Sequence, residues 1–195
     1  MSRKTYRLAF LFLTGLTACL NAVAQNYTIP AIPAETHLLD PLLGKWTYVE
    51  DLHSPQHYKP SGTWTFSRGA DGFVVSDEFR TDNGSGGTAV IVETYRAYNP
   101  ATKAWTFQTT IYQAPTIGQK NGEWDMGITR VQHGEIFDEI TKGNTITRAR
   151  FYNIKSDAFS FRLDTSMDGG KTWIKPVDIE AVRVHDNSEI GKNGQ

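Results

Sequence analysis

Polar and apolar residues alternate with a period of two along most of this 195-residue chain. Val, Ile, Thr and aromatic residues dominate the alternating segments, and these residue types suit the half-buried surface of a pleated sheet. Pairs such as Asn83-Gly84 and Asn121-Gly122 separate the segments and supply the positive φ angles of tight hairpins. We therefore predict an all-β domain with ten strands, over residues 45–50, 62–67, 73–80, 88–98, 104–112, 123–132, 135–141, 145–154, 158–165 and 172–184.

A meander of this length can bury its apolar face in two ways. It closes into an antiparallel up-and-down barrel without exposed edges, or it forms a two-sheet β-sandwich. The short hairpin connections favour the barrel, with the sandwich as the alternative. One helical turn is predicted over residues 35–43, where four leucines would plug an end of the barrel and Pro41 keeps the turn short.

The first 24 residues have the features of a secretory signal peptide. A basic stretch, residues 3–7, precedes an apolar run, residues 8–16, and Ala22-Val23-Ala24 forms a cleavage site. The apolar run is shorter than the about 20 residues that a transmembrane helix needs. These features predict a periplasmic or secreted protein.

The same segment contains a second candidate cleavage site. Leu16-Thr17-Ala18-Cys19 fits the box in which a lipoprotein peptidase cuts before a lipidated cysteine, and acyl chains on Cys19 would anchor the protein to a membrane. Cys19 is the only cysteine, so either cut leaves a domain without an internal disulfide.

The rest of the chain divides into an extended leader (25–37), a barrel domain (38–184) and a polar, flexible tail (185–195). Removal of residues 1–24 takes away three positive charges and moves the formal net charge from −1 to −4. No basic cluster remains, and nucleic acid is therefore not an expected partner.

The segment Leu42-Leu43-Gly44-Lys45-Trp46 has the G-x-W opening of lipocalin-like barrels. Three further segments (98–105, 150–154 and 166–173) make the chain similar to a family of exported bacterial lipocalin-like proteins of uncharacterised function. The resemblance spans about residues 38–184. It implies that Trp46 lies at the closed end of the barrel with Arg183 against its ring, but it implies no particular activity.

The segment Ser166-Met167-Asp168-Gly169-Gly170-Lys171-Thr172-Trp173 also matches the Asp box, S-x-D-x-G-x-T-W, of sialidase propellers. It occurs once, in a chain too short for a propeller, so we interpret it as a structural hairpin. Asp168 is expected to cap the turn and Trp173 to anchor it in the core.

Aromatic and apolar side chains are the main candidates for a ligand-binding surface. They share strand faces that would point into a barrel, where they would either fill a core or line a cavity for one small ligand. Both interpretations stay open. The candidates are Trp64 and Phe66, then Trp105, Phe107, Thr109 and Ile111, and finally Trp124, Met126 and Ile128.

A polar clamp is a further candidate. Arg148, Arg150 and Tyr152 share one face of a strand, and an Arg-x-Tyr pair inside a barrel resembles the carboxylate clamp of fatty-acid-binding proteins. In the alternative orientation this face is outside, and Thr147, Ala149 and Phe151 line the interior.

Catalysis and cofactors find weaker support in the sequence. Glu78, Glu93 and Glu139 lie within strands, and solvated strand faces explain them more simply than acid–base chemistry. Nucleophile motifs are absent, so the expectation is a non-enzyme. No metal or cofactor is predicted. His53 and His57, in a loop, lack a third ligand, and His133 and Glu135, at a hairpin, lack the cysteines of a zinc deaminase site.

Three functions follow, in order of preference. The first is an exported protein that binds a small apolar or amphipathic molecule in an aromatic-lined barrel. The second is an enzyme that acts on a small hydrophobic substrate in the same cavity. The third is a structural or interaction module with a solid core and an exposed apolar patch.

Overall fold

The computed structural model describes residues 31–52, 60–69, 71–113 and 123–185. Within these ranges the chain forms one 3₁₀ helix and ten strands, and no helix there is long and apolar enough to span a membrane. The helix is Ala34–Leu42. In chain order the strands are β1 (Gly44–Leu52), β2 (Ser61–Arg68), β3 (Val74–Asp82), β4 (Thr88–Asn99), β5 (Ala104–Gln113), β6 (Trp124–Gln132), β7 (Glu135–Lys142), β8 (Thr145–Tyr152), β9 (Ala158–Ser166) and β10 (Ile174–Arg183).

The ten strands form a closed barrel. Each strand pairs antiparallel with the next, and β1 also pairs with β10. Trp46 on β1 therefore has two partners across the sheet, Trp64 on β2 and Arg183 on β10. The predicted all-β up-and-down barrel is confirmed, and the two-sheet sandwich is excluded.

The 3₁₀ helix covers the end of the barrel where β1 begins and where β2 and β10 end. Its side chains Leu39 and Leu42 are buried in the core. Arg68, the last residue of β2, forms an ion pair with Asp40 of the helix and donates to the carbonyl oxygen of Thr36 at 2.8 Å. The helix begins at Ala34, inside the segment predicted as an extended leader, because these contacts hold its first turn against the barrel.

Trp46 joins this helix to the two strands that close the barrel. Its side chain is fully buried, and its indole Nε1 donates to the carbonyl oxygen of Leu42 at 2.8 Å. The ring meets Phe159 edge to face, with centroids 4.8 Å apart. Arg183 covers the ring with its Cζ 4.0 Å from the centroid and donates to the carbonyl oxygen of Pro41 at 3.0 Å. The contact implied by the G-x-W resemblance is therefore present in the structure.

The hairpin between β9 and β10 is organised by the carboxylate of Asp168. Its Oδ1 accepts from the backbone N–H groups of Lys171 and Thr172, each at 2.9 Å. Its Oδ2 accepts from the Thr172 hydroxyl at 2.7 Å. Gly169 and Gly170 supply the positive φ angles of the turn. Asp168 caps the turn as the sequence predicts.

Trp173 differs from its prediction. It is half-buried and lies outside the core cluster, with its Nε1 donating to the carbonyl oxygen of Gly170 at 3.0 Å. Arg148 covers the ring, with its Cζ 4.4 Å from the centroid. The tryptophan anchors the hairpin on the outer surface because the guanidinium of Arg148, not the core, provides the facing surface.

The pKa of Asp168 provides a test of the hairpin. The hydroxyl and backbone N–H of Thr172, with the Ser166 hydroxyl, lower this pKa to about 2. A carboxyl group with a lowered folded-state pKa stabilises the fold above its ordinary value near 4, and the effect is lost as the pH falls towards 2. We expect a carboxyl-carbon NMR titration to give this pKa, and Thr172→Ala to raise it. The control Thr47→Ala changes an exposed hydroxyl on β1 and is expected to leave it unchanged; equal titrations in all three proteins would contradict the capping role.

Candidate functional site

The interior of the barrel is filled near the 3₁₀ helix and open beyond it. The open part encloses a cavity of about 500 Å³. Ligand sites in proteins commonly have volumes of this size. Most lining side chains are apolar, and the main ones are Trp64, Phe79, Val92, Phe107, Ile111, Ile140, Ala149, Phe151, Phe161, Leu163, Val177 and Ile179.

Trp64 marks the boundary between the two parts. It belongs to the buried core cluster and also lines the cavity. Its ring lies 5.2 Å from that of Phe66 on the filled side, and 5.3 and 5.1 Å from those of Phe151 and Phe161, which line the cavity. This packing holds one wall of the cavity in place.

A buried charged cluster lies between the filled and open parts, formed by Asp77, Arg96 and Asp138. Their side chains are only 2%, 3% and 5% exposed, and all three line the cavity. The guanidinium of Arg96 donates to Asp138 Oδ2 from Nε at 2.9 Å and from Nη2 at 2.6 Å, and to Asp77 from Nη1. Trp64 Nε1 donates to Asp77 Oδ2 at 3.0 Å, and the Thr129 hydroxyl donates to Asp138 Oδ1 at 2.6 Å.

The electrostatics of the cluster keep Arg96 charged. Burial opposes the charge of the guanidinium, but the nearby carboxylates Asp138 and Asp77 outweigh it and raise the pKa of Arg96. Burial raises the pKa of Asp77, although Arg96 and the Trp64 N–H act in the opposite direction. The result is a fixed cation enclosed by its own counterions inside an apolar cavity.

The far end of the cavity carries a second ion pair. Lys142 at the end of β7 contacts Asp125 near the start of β6, and both side chains are substantially exposed. Thr145, the first residue of β8, lines the cavity beside them. Because these positions lie at the end of the barrel opposite the 3₁₀ helix, they form the mouth of the cavity.

The aromatic candidates on β2 and β5 point into the barrel. Trp64 and Phe107 line the cavity, together with Thr109 and Ile111. Phe66 and Trp105 are buried in the filled part, where the ring of Trp105 lies 5.4 Å from that of Tyr98.

The candidates on β6 face outwards, contrary to the prediction. Trp124, Met126 and Ile128 are 44%, 72% and 40% exposed, and none of them lines the cavity. The pairing of β6 with β5 places them opposite the outward-facing residues 110, 108 and 106. Gly127 faces inwards instead, where a Cβ would lie only 2.5 Å from the Phe107 ring. The apolar face of β6 is therefore its outer face, because Phe107 occupies the space above the inner one.

The predicted Arg-x-Tyr clamp is also wrong. Arg148 pairs with Glu139, with its Nη2 2.8 Å from Oε2, and Arg150 pairs with Glu135 at 2.6 Å. The ring of Tyr152 lies 5.0 Å from Arg150 Cζ. From β8 the cavity is lined by the alternate residues Thr145, Thr147, Ala149 and Phe151. Burial of Phe151 in the core leaves the arginines on the solvent side.

The carboxylates considered for acid–base chemistry do not line the cavity. Glu78 pairs with Arg80 at 2.6 Å and Glu139 with Arg148, while Glu93 borders a shallow groove on the outer face. Their side chains follow the outward parity of the strands.

The candidate metal ligands do not assemble into a site where they can be placed. His133 is exposed at a hairpin and Glu135 is paired with Arg150. In the part of the chain that the structure describes, no group of three or more His, Cys, Asp or Glu side chains could hold a metal ion. His53, His57, Cys19 and the signal segment lie outside the described residues.

Sequence reasoning missed the cluster of Asp77, Arg96 and Asp138. Its members share strand faces with aromatic residues, since Asp77 is two residues before the half-buried Phe79 and Arg96 is two residues before the buried Tyr98. Strand parity therefore offered a signal that these charged side chains face the interior of the barrel. Their mutual distance depends on pairings between distant strands, which parity does not show.

The closed ten-stranded meander, with one end covered by the 3₁₀ helix, is an antiparallel up-and-down β-barrel. No known family model matches this chain, and no curated protein matches it.

Two solved structures resemble the barrel. One is the S-type phycobiliprotein lyase CPES from Guillardia theta, with 8% identity, a TM-score of 0.48, and coverage of 76% of this chain and 92% of that chain. The other is Rv2717c from M. tuberculosis, with 14% identity, a TM-score of 0.49, and coverage of 80% and 100%. At these identities neither structure assigns a ligand to this chain, and we infer function from the geometry of the interior.

Arg96→Met tests the energetic role of the charged cluster. The substitution leaves two buried carboxylates without their cation, and we expect it to lower the free energy of unfolding by about 3–5 kcal/mol. Arg150→Met is the matched control, because its ion pair with Glu135 is about one-third exposed and contributes at most about 1 kcal/mol.

Urea denaturation measures both changes, together with the triple variant Asp77→Leu/Arg96→Met/Asp138→Leu. Replacement of all three charges by apolar side chains is expected to recover most of the loss. Equal losses of unfolding free energy in Arg96→Met and Arg150→Met would show that the buried cluster contributes no more to stability than the exposed ion pair does.

Proposed function

We propose that this protein binds a small, mainly apolar molecule inside the barrel. The observation that carries the proposal is the cavity of about 500 Å³, lined largely by aromatic and aliphatic side chains with a few convergent polar groups. Apolar walls with few polar groups are typical of small-molecule sites, because transfer of apolar surface from water supplies the affinity.

The open cavity favours this function over the ligand-free module. A module that works only through its surface gains stability from a filled interior, since each unfilled volume in a core costs packing energy. The barrel fills its interior beside the 3₁₀ helix with at least ten large side chains and leaves the other part open. The open volume is therefore best explained by an occupant.

Binding is also favoured over acid–base catalysis. The buried carboxylates that line the cavity are Asp77 and Asp138, and each of their four oxygens accepts a hydrogen bond from Arg96, Trp64 or Thr129. This arrangement suits the fixation of a guanidinium. The third carboxylate of the lining, Asp125 at the mouth, is paired with Lys142. A general base instead needs an oxygen directed at the proton that it removes.

The binding proposal predicts that a bulky side chain inside the barrel blocks the site. Ala149 lines the cavity on β8, whereas Ala97 on β4 is exposed on the outer face. We expect Ala149→Trp to weaken binding of the neutral fluorophore N-phenyl-1-naphthylamine at least tenfold, about 1.4 kcal/mol. Ala97→Trp makes the same change outside and is expected to bind as the unmodified protein does.

Fluorescence titration measures these affinities, and urea denaturation verifies that both variants fold. Equal binding by Ala149→Trp and Ala97→Trp would place the probe outside the cavity. Absence of binding to the unmodified protein, with no small molecule released from freshly purified material, would contradict the proposal itself.

We further propose that the protein is exported and released after Ala24, on the basis of the basic, apolar and small-residue regions of the first 24 residues. Mass spectrometry of the exported protein is expected to find Gln25 at the N-terminus, and Cys19→Ser is expected to leave export unchanged. A diacylated N-terminal Cys19, together with loss of processing in Cys19→Ser, would instead establish the lipid-anchored form.

A further inference from the structure

The guanidinium of Arg96 has more donors than the charged cluster uses. A guanidinium carries five N–H groups. Three of them donate, from Nε and Nη2 to Asp138 and from Nη1 to Asp77. Among the described residues no acceptor takes the two that remain, one on Nη1 and one on Nη2. These donors belong to a side chain that is 97% buried and lines the cavity.

Buried donors without acceptors are uncommon in folded proteins, because a group removed from water loses its hydrogen bonds unless another acceptor replaces them. The lining of the cavity beside Arg96 includes Phe107 and Phe151, and Phe151 presents its ring 5.6 Å from Arg96 Cζ. Aromatic neighbours provide no oxygen acceptor. An oxygen of a molecule bound in the cavity would match these donors.

The charge of the cluster limits what kind of oxygen this is. Asp77 and Asp138 already surround the single positive charge of Arg96. A carboxylate ligand placed there would bring a third negative group into an apolar site that holds one cation, and like charges at short range in such a site repel strongly. A neutral carbonyl oxygen accepts from the same N–H groups without that repulsion.

We propose that the ligand carries a neutral carbonyl group, as in a ketone, ester or amide, and places its oxygen against an unused N–H group of Arg96. The apolar remainder then extends towards the mouth, between Phe107, Ile140 and Leu163. This inference rests on the proposed binding function and adds the chemical class and the orientation of the ligand.

The test compares four ten-carbon molecules that differ only in their polar group. Decane, 2-decanone, decanoate and decylamine are each used to displace N-phenyl-1-naphthylamine from the full chain at neutral pH. We expect 2-decanone to bind about tenfold more tightly than decane, in line with one hydrogen bond to a charged donor, and decanoate and decylamine to bind more weakly than 2-decanone.

The triple variant Asp77→Leu/Arg96→Met/Asp138→Leu removes the donors and the counterions together. It is expected to lose the preference for 2-decanone over decane, which is measured as the ratio of the two affinities in the same protein. Infrared spectroscopy of carbonyl-labelled 2-decanone supplies a second readout on the unmodified protein, where the C=O stretch is expected to fall to lower frequency on binding. This second readout does not depend on the folding of the variant.

The outcomes separate the two proposals. If the fluorophore binds in the cavity but decane and 2-decanone compete equally, with no shift of the C=O stretch, the carbonyl inference is wrong and the binding function stands. Tighter binding of decanoate or decylamine would also overturn it, and loss of the decanoate preference in Lys142→Met would then place the head group at the mouth. If no apolar probe enters the barrel, the binding function itself fails.

Discussion

The pairing of β1 with both β2 and β10 is the constraint on which the remaining structure depends. Once the sheet closes, every strand has a partner on both sides, and each residue lies either inside or outside a continuous wall. Trp46 lies at this junction, between Trp64 and Arg183, and its indole also holds the 3₁₀ helix through Leu42. Closure of the sheet and closure of the barrel end are therefore achieved by the same group of residues.

The interior then divides into parts with different roles. Next to the helix, aromatic rings from opposite strands pack against one another and supply stability without a disulfide. Beyond Trp64 the wall is equally apolar but the space is open. The charged cluster of Asp77, Arg96 and Asp138 lies at the boundary, where the dense aromatic packing holds its members in fixed positions. A charged group in such a place costs stability unless it is fully paired, and here each carboxylate oxygen is paired.

Prediction from the sequence succeeded where burial and strand parity agree. On β2 and β5 the apolar residues Trp64 and Phe107 point inwards, as their alternation indicates. On β6 the same rule placed Trp124 and Met126 inside, and it was wrong. The pairing with β5 places Gly127 opposite Phe107 on the inner face, where the Phe107 ring takes the space, and leaves the large apolar residues of β6 outside. On β8 the sequence also left open whether the arginines or the alternate residues face the interior. Burial of Phe151 turns the arginines outwards.

The sequence by itself determined the strands, the turns between them and the helical plug, since each follows from local alternation or turn chemistry. The contact of Arg183 with Trp46 was implied only by the resemblance carried by the G-x-W segment. The tertiary structure alone decided that the barrel keeps an open cavity and that Arg96 meets Asp77 and Asp138 beside it. The physical reason is that these features arise from distances between strands that are far apart in the chain. Alternation assigns a side chain to a face, but only closure of the barrel brings faces of β3, β4 and β7 together around one volume.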